Sequence, residues 1–271
     1  DFAVWKFKTP EDGDVSWDAP FGAGRPGWHI ECSAMAMSVL GPTIDIHTGG
    51  TDLIFPHHTN EIAQSEAATG EPFVRYWVHG GFMNVNDEKM AKSKGNFTKL
   101  SDLHDNAIAP LTYRYWLLTA HYRSQINFTY EALSAAQNAL IRLMKEMGRY
   151  PDGGAVIPAY KDRFTAFIND DLNTPQAIAL VWELLKDAKQ TEADKKATIL
   201  DFDAVFGLKL ANVPKLEEEP VPPEVQALAD AREEARKAKD WTQADALRKE
   251  IEERGFELND TPEGVKIRGR F

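Results

Sequence analysis

A histidine and a glutamate one helical turn apart, and a single cysteine upstream of them, offer the first chemistry in this sequence. Residues 55–61 read FPHHTNE. The proline suits the first turn of a helix, where a missing N–H costs little. A helix starting there sets His57 and Glu61 at i and i+4, on one face, with His58 pointing elsewhere. An imidazole and a carboxylate so placed are half of a zinc site, or an ordinary exposed ion pair. Cys32, the only thiol, follows Trp28 and His29 in a segment entering a helix. A lone cysteine reads as a small buried hydrophobe, or as a third donor. Zinc accepts sulfur, imidazole and carboxylate together, and three protein ligands leave one position open.

Three other stretches carry chemistry-bearing residues. KMAKSKGN, 89–96, follows a strand and sets three lysines and a serine before a Gly-Asn turn. Its ammonium groups could neutralise phosphoryl charge, or form a solvated basic loop. HTGGTD, 47–52, has two glycines that allow a ligand close to the backbone. Asp52 could accept from a ribose hydroxyl, although most Gly-Gly pairs are only turns. In the tail, Arg236, Trp241, Asp245 and Arg248 recur at spacings that could share one surface of a helix pair. Such a surface could stack on and bond to unpaired bases, or be a salt-bridged exposed face.

The elements that must hold these residues follow from pattern. Residues 1–104 alternate strand and helix signals: FAVWKF, TIDIHTGG and YWVHGGFMNV read as strands, and FGAGRPGWHIEC as a Gly/Pro-rich loop into a helix. That alternation predicts an α/β layered domain, whose ligands bind at the carboxyl ends of strands. HTGG and VHGG both fall there. Residues 105–210 turn helical, which predicts an all-α antiparallel bundle. Residues 211–223 are proline- and acid-rich and read as a linker. Residues 224–271 read as two charged helices and a hairpin, a small α+β module.

The bulk numbers bound the function. With 271 residues, 43% hydrophobic, the chain can bury a core over two or three domains. A formal net charge of −11 excludes general affinity for nucleic acid, so any such contact must come from local basic patches. One cysteine excludes a disulfide framework and fits a reducing cytoplasm. No signal peptide and no apolar run of spanning length is visible, so no membrane partner is expected.

GRPGWHIECSAM, then DIHTGGTDLIFPHHTNEIAQSEA, then EKMAKSKGN, in this order, closely resemble cysteinyl-tRNA synthetase, a class I aminoacyl-tRNA synthetase family. The resemblance continues through HYRSQINF to KDWTQADALRKEIEERGFELNDTPEGV and covers essentially the whole chain. KMAKS has alanine for the middle serine of the family's KMSKS, HHTNE has threonine where glutamate is frequent, and HTGG has threonine where glycine is frequent. The resemblance implies a partial Rossmann-like nucleotide-binding fold followed by the bundle and an anticodon-binding module. It implies that Cys32, His57 and Glu61 hold one zinc, which selects the thiolate of substrate cysteine, and that Trp28 lines the amino-acid pocket. His47, Gly49, Gly50 and Asp52 would face the adenosine of ATP. Lys92, helped by Lys89, would bind its phosphates with magnesium. Arg236, Trp241, Asp245, Arg248 and Asp260 would read the anticodon of tRNA(Cys).

Two features of the family pattern are missing. The histidines are 29, 47, 57, 58, 79, 104 and 121, no two of them three apart, so there is no HxGH motif. A fourth, cysteine, zinc ligand is also absent, because Cys32 is unique. The expectation is therefore a C-terminal portion of a longer, monomeric synthetase, inactive by itself. The alternatives are a non-catalytic paralogue that binds tRNA or a protein partner, and the related ligase that joins cysteine to an amino sugar in mycothiol synthesis. The tail argues against the last.

Overall fold

The computed structural model describes residues 2–86, 88–89, 99–106, 108–214, 221–261 and 264–269. The chain divides into two units, Asp1–Ala107 with Ala120–Leu133, and Ile108–Thr119 with Ser134–Phe271. The first unit extends past residue 104 because a later strand returns to it.

In the first unit β1 (Trp5–Phe7) pairs antiparallel with β2 (Gly24–Pro26), Trp5 opposite Pro26. The GRP segment is therefore a short strand within the expected loop. Its pairing survives a proline because β2 is short and has β1 as its one partner strand among the described residues. Gly27 follows, where a Cβ would lie 1.9 Å from the Ala3 carbonyl oxygen. Only glycine lets the N-terminal segment lie that close to the start of α1 (Trp28–Leu40). Next comes β3 (Ile44–Gly50), then a 3-10 turn at Thr51–Leu53 and a wider turn at Ile54–His58. α2 (Thr59–Thr69) ends at Gly70, whose φ of 75° supplies the left-handed cap. α1 and α2 pack side by side, and buried Ser33 donates to Gln64 Oε1 across them at 2.8 Å.

β4 (Val74–Gly80) pairs parallel with β3, with Gly49 opposite His79 and Gly50 opposite Gly80. HTGG and VHGG thus end side by side at the carboxyl edge of a parallel pair. Beyond it, β5 (Met83–Val85) pairs with β6 (Glu88–Lys89) on one side. α3 (Leu100–Asp105) and, in the second unit, α4 (Pro110–Leu118) intervene before β7 (Ile126–Phe128), which closes parallel on β5.

The second unit is helical, with one terminal hairpin. α5 (Tyr130–Arg149) buries Leu140, Leu143 and Met147 at i, i+3 and i+7. α6 (Pro158–Asn169), α7 (Thr174–Lys186) and α8 (Glu192–Phe206) pack together. Phe164 of α6 stacks on Phe202 of α8 at 4.1 Å and meets Phe206 edge-on at 5.4 Å. Thr191 caps α8 by accepting from the Asp194 N–H. Residues 215–220 of the expected linker lie outside the described residues. After them α9 (Pro223–Lys237), α10 (Trp241–Glu253), β8 (Phe256–Thr261) and β9 (Gly264–Gly269) share a small core of Val225, Ala229, Ile251 and Leu258. Among the described residues no helix is long and apolar enough to cross a membrane.

Candidate metal centre

Three elements of the first unit, the first separated from the other two by β3 and a 3-10 turn, bring the donors together. The first turn of α1 presents Trp28, His29 and Cys32, the last two at i and i+3 on one face. The turn Ile54–His58 carries His57 and His58, and the first turn of α2 carries Glu61. The regular helix starts two residues after His57, yet the i, i+4 relation survives. His57 Nε2 lies 3.5 Å from Glu61 Oε1, and both residues are buried, Glu61 completely. An exposed surface pair is thereby ruled out. Cys32, His57 and Glu61 place one donor atom each within 4.8 Å of one another.

His58, expected to point elsewhere than the His57–Glu61 face, also approaches the carboxylate. It is buried, its Nδ1 is 2.8 Å from His79 Nε2, and its Nε2 is 4.0 Å from Glu61 Oε2. His47 reaches the same oxygen from β3, with Nε2 at 2.8 Å. His47, His58 and Glu61 therefore form a second donor set that shares the carboxylate. Gly49 is what admits it: a Cβ there would lie 2.6 Å from His58 Cε1. On the other side His29 Nδ1 lies 2.7 Å from His57 Nδ1, and Trp28 stacks on the His57 ring at 4.3 Å.

Burial favours the neutral imidazoles of His57 and His58, with their lone pairs available. Burial lowers the pKa of His57, against the opposing pull of Glu61, and neighbouring His29 and His47 lower it further. Burial likewise brings His58 down to about 4. Burial pushes the Cys32 thiol up, and the Glu61 and Glu31 carboxylates push it the same way. A free thiol here thus stays protonated until a cation compensates the thiolate.

The donor set fits zinc. Glu61 Oε1 is buried without a hydrogen-bond partner, and a buried carboxylate oxygen left bare is costly unless something occupies it. Ligand atoms around a tetrahedral zinc stand about 3.5 Å apart, given bond lengths of about 2.0–2.3 Å. The His57–Glu61 separation already has that value.

The other expected residues fall as follows. Trp28 is 56% exposed beside the donors. Asp52 sits in the turn after β3, and its Oδ1 occupies the space a Cβ on Gly50 would fill, 2.4 Å away. The backbone of Lys89 lies in β6, opposite Asn84, while its side chain and all of Lys92 lie outside the described residues. Trp241, Asp245 and Arg248 fall at i, i+4 and i+7 of α10, all exposed, and Arg248 pairs with Glu252 at 3.2 Å. Arg236 is the penultimate residue of α9, 3.9 Å from Glu233, and Asp260 is in β8 with its side chain outside the description. Sequence reasoning gave His29, His58 and His79 no role. The i, i+3 spacing of His29 and Cys32 was the available signal for the first, and the strand-end position of VHGG for the last.

Comparison with known proteins bears on the whole chain. The family model described as "tRNA synthetases class I (C) catalytic domain" matches residues 1–138, just over half of the 271. A DALR domain matches residues 163–213, and a cysteinyl-tRNA ligase anticodon binding domain matches 218–268. Cysteine--tRNA ligase 1 of Burkholderia lata is 47% identical over 272 residues, covering 99% of this chain and 57% of its own length. The cysteine--tRNA ligase of Opitutus terrae is 46% identical over 270 residues, covering 98% and 58%. The chain thus spans somewhat more than half the length of these relatives. A crystal structure of the Agrobacterium radiobacter K84 agnB2 LeuRS-tRNA-LeuAMS ternary complex shares the fold, with a TM-score of 0.54 at 13% identity over 77% of this chain and 35% of that one. On the match that takes in both strand ends and all three zinc-type donors, the chain belongs to the tRNA synthetases class I (C) family.

Proposed function

We propose that these residues serve a cysteine--tRNA ligase, which joins cysteine to tRNA(Cys) at the expense of ATP. The observation that carries this reading is the convergence of Cys32, His57 and Glu61, with a bare buried oxygen on the last. It stands in a chain nearly half identical to proteins of that name. Zinc held by these three residues supplies, when bound, a soft centre that takes a thiolate in preference to a hydroxyl. Serine and cysteine are near-isosteres that an apolar pocket separates poorly.

The remaining roles are those that the family resemblance implies. Trp28, stacked on His57, walls the amino-acid pocket. His47, Gly49, Gly50 and Asp52 take the adenosine at the carboxyl edge of β3, where open α/β sheets bind ligands. Lys89 and Lys92 hold the phosphates with magnesium. The cysteine carboxylate attacks the α-phosphorus and pyrophosphate leaves. A ribose hydroxyl at the 3′ end of the tRNA then attacks the carbonyl and AMP leaves. Arg236, Trp241, Asp245, Arg248 and Asp260 read the anticodon. The architecture is then a partial Rossmann-like domain, a helical bundle and an anticodon module, in a cytoplasmic protein that acts as a monomer.

The test compares cysteine transfer to tRNA and to glucosaminyl-inositol by these residues within a protein of the relatives' full length. Transfer to tRNA only is the expected result. Transfer to the amino sugar would install the mycothiol-type ligase instead, and tRNA binding without transfer would install a non-catalytic paralogue. The 271 residues alone are expected to show no cysteine-dependent ATP–pyrophosphate exchange.

A further inference from the structure

We propose that His29 is the positioning residue for the metal ligand His57, fixing the tautomer that leaves His57 Nε2 bare toward Glu61 and Cys32. The inference rests on the metal-centre reading above. His57 has two ring nitrogens with different neighbours. Nδ1 is 2.7 Å from His29 Nδ1, and Nε2 is 3.5 Å from the unpartnered Glu61 Oε1. A neutral imidazole carries one proton, so one nitrogen donates and the other holds a lone pair. A metal among Cys32, His57 and Glu61 needs the lone pair on Nε2. The proton must then lie on Nδ1, and only a partner that accepts there keeps it there.

His29 is that partner. With its own proton on Nε2, its Nδ1 is an acceptor at hydrogen-bond distance. Its place is set by α1: three residues before Cys32, it shares the face that carries the sulfur ligand. Phe2 packs edge-on against its ring at 6.4 Å and Trp28 stacks beside it at 5.6 Å, so the ring is held from two more sides. One helical turn thus delivers a ligand and the orienter of another ligand. Ligating histidines generally need such an outer partner, whose loss weakens metal binding by about 10–100-fold.

The experiment uses the 271-residue chain and zinc. Asparagine and leucine are close in size, but the asparagine amide oxygen can stand where His29 Nδ1 stands and accept a proton, and leucine cannot. Zinc dissociation constants are measured by chelator competition for the parent chain, His29→Asn and His29→Leu, with circular dichroism to confirm folding. The expected result is a loss of about 10–100-fold for the leucine variant and near-parental binding for the asparagine variant. Nitrogen-15 spectra of the zinc-loaded parent should show His57 protonated on Nδ1. Equal zinc affinity in both variants, whether near-parental or weak, would overturn the proposal. A parent chain that takes up no zinc would overturn the metal centre itself and this inference with it.

Discussion

Gly49 shows how tightly single residues are determined around the donors. Its Cα faces the buried His58 ring, and a methyl group there would lie 2.6 Å from Cε1 and 3.0 Å from Leu53 Cδ1. The ring cannot swing aside, because its Nδ1 is tied to His79 at 2.8 Å and it is 3% exposed. Gly49→Ala should therefore cost about 1–3 kcal/mol, the range for overpacking a filled interior. Urea unfolding of the two proteins measures it, and an unchanged midpoint would show that the turn carrying His58 yields. The same packing explains what could be read at this scale from sequence. The spacing of His57 and Glu61 is local, so the shared face was legible. The burial that makes them donors comes from α1 and β3, elements outside their own turn, and so does the proximity of Cys32. The placement of His58 is not local either, because the His79 that holds its ring lies on another element.

Among the elements, the short strands were the hardest to read. β2 is three residues of Gly, Arg and Pro, which carry no strand propensity, and its pairing is dictated by β1 and the close approach at Gly27. β7 is likewise too short for an alternating pattern, so the return of the chain to β5 was invisible. The longer helices and β3 and β4 announced themselves by period and by their glycine ends. What holds the β1–β2 ribbon in place of propensity is a polar staple. Asp12 accepts from the Thr9 N–H at 2.7 Å and from Arg25 Nε of β2 at 2.9 Å. Those bonds, the Thr9 backbone first, bring its pKa from 3.8 to about 2. A carboxyl whose folded pKa is below its unfolded value binds its proton less readily when folded. Its stabilising share is thus present above the unfolded value and lost as the pH falls through the folded one. Asp12→Asn should lower the melting temperature at neutral pH, and the difference should shrink between pH 3.8 and 2. A gap that stays constant down to pH 2 would mean that the staple does not act through its charge.

At the scale of the molecule, the proposed function divides its work between the two ends of the chain. The donors all lie in the first unit, and the exposed face of α10 lies in the second. With a net charge of −11 the protein repels a polyanion on average, so the proposed tRNA affinity requires local contacts that outweigh the mean field. Trp241 is 60% exposed, with no apolar reason to be on the surface, and Asp245 and Arg248 follow it along one helical stripe. An aromatic ring presented this way gains about 1–3 kcal/mol per stacked base. Trp241→Ala should therefore weaken binding of tRNA(Cys) by roughly 5–150-fold, by the same principle. Because the indole is exposed, its removal should leave the melting temperature unchanged. Chelation of a zinc held as proposed should do the reverse, destabilising the first unit while leaving the proposed tRNA binding by the second intact. Filter binding at fixed ionic strength, with and without chelator, separates the two. Trp241→Ala with parental affinity would move the base-reading surface off α10, and a loss of binding on chelation would show that the donors also order the surface that meets the tRNA.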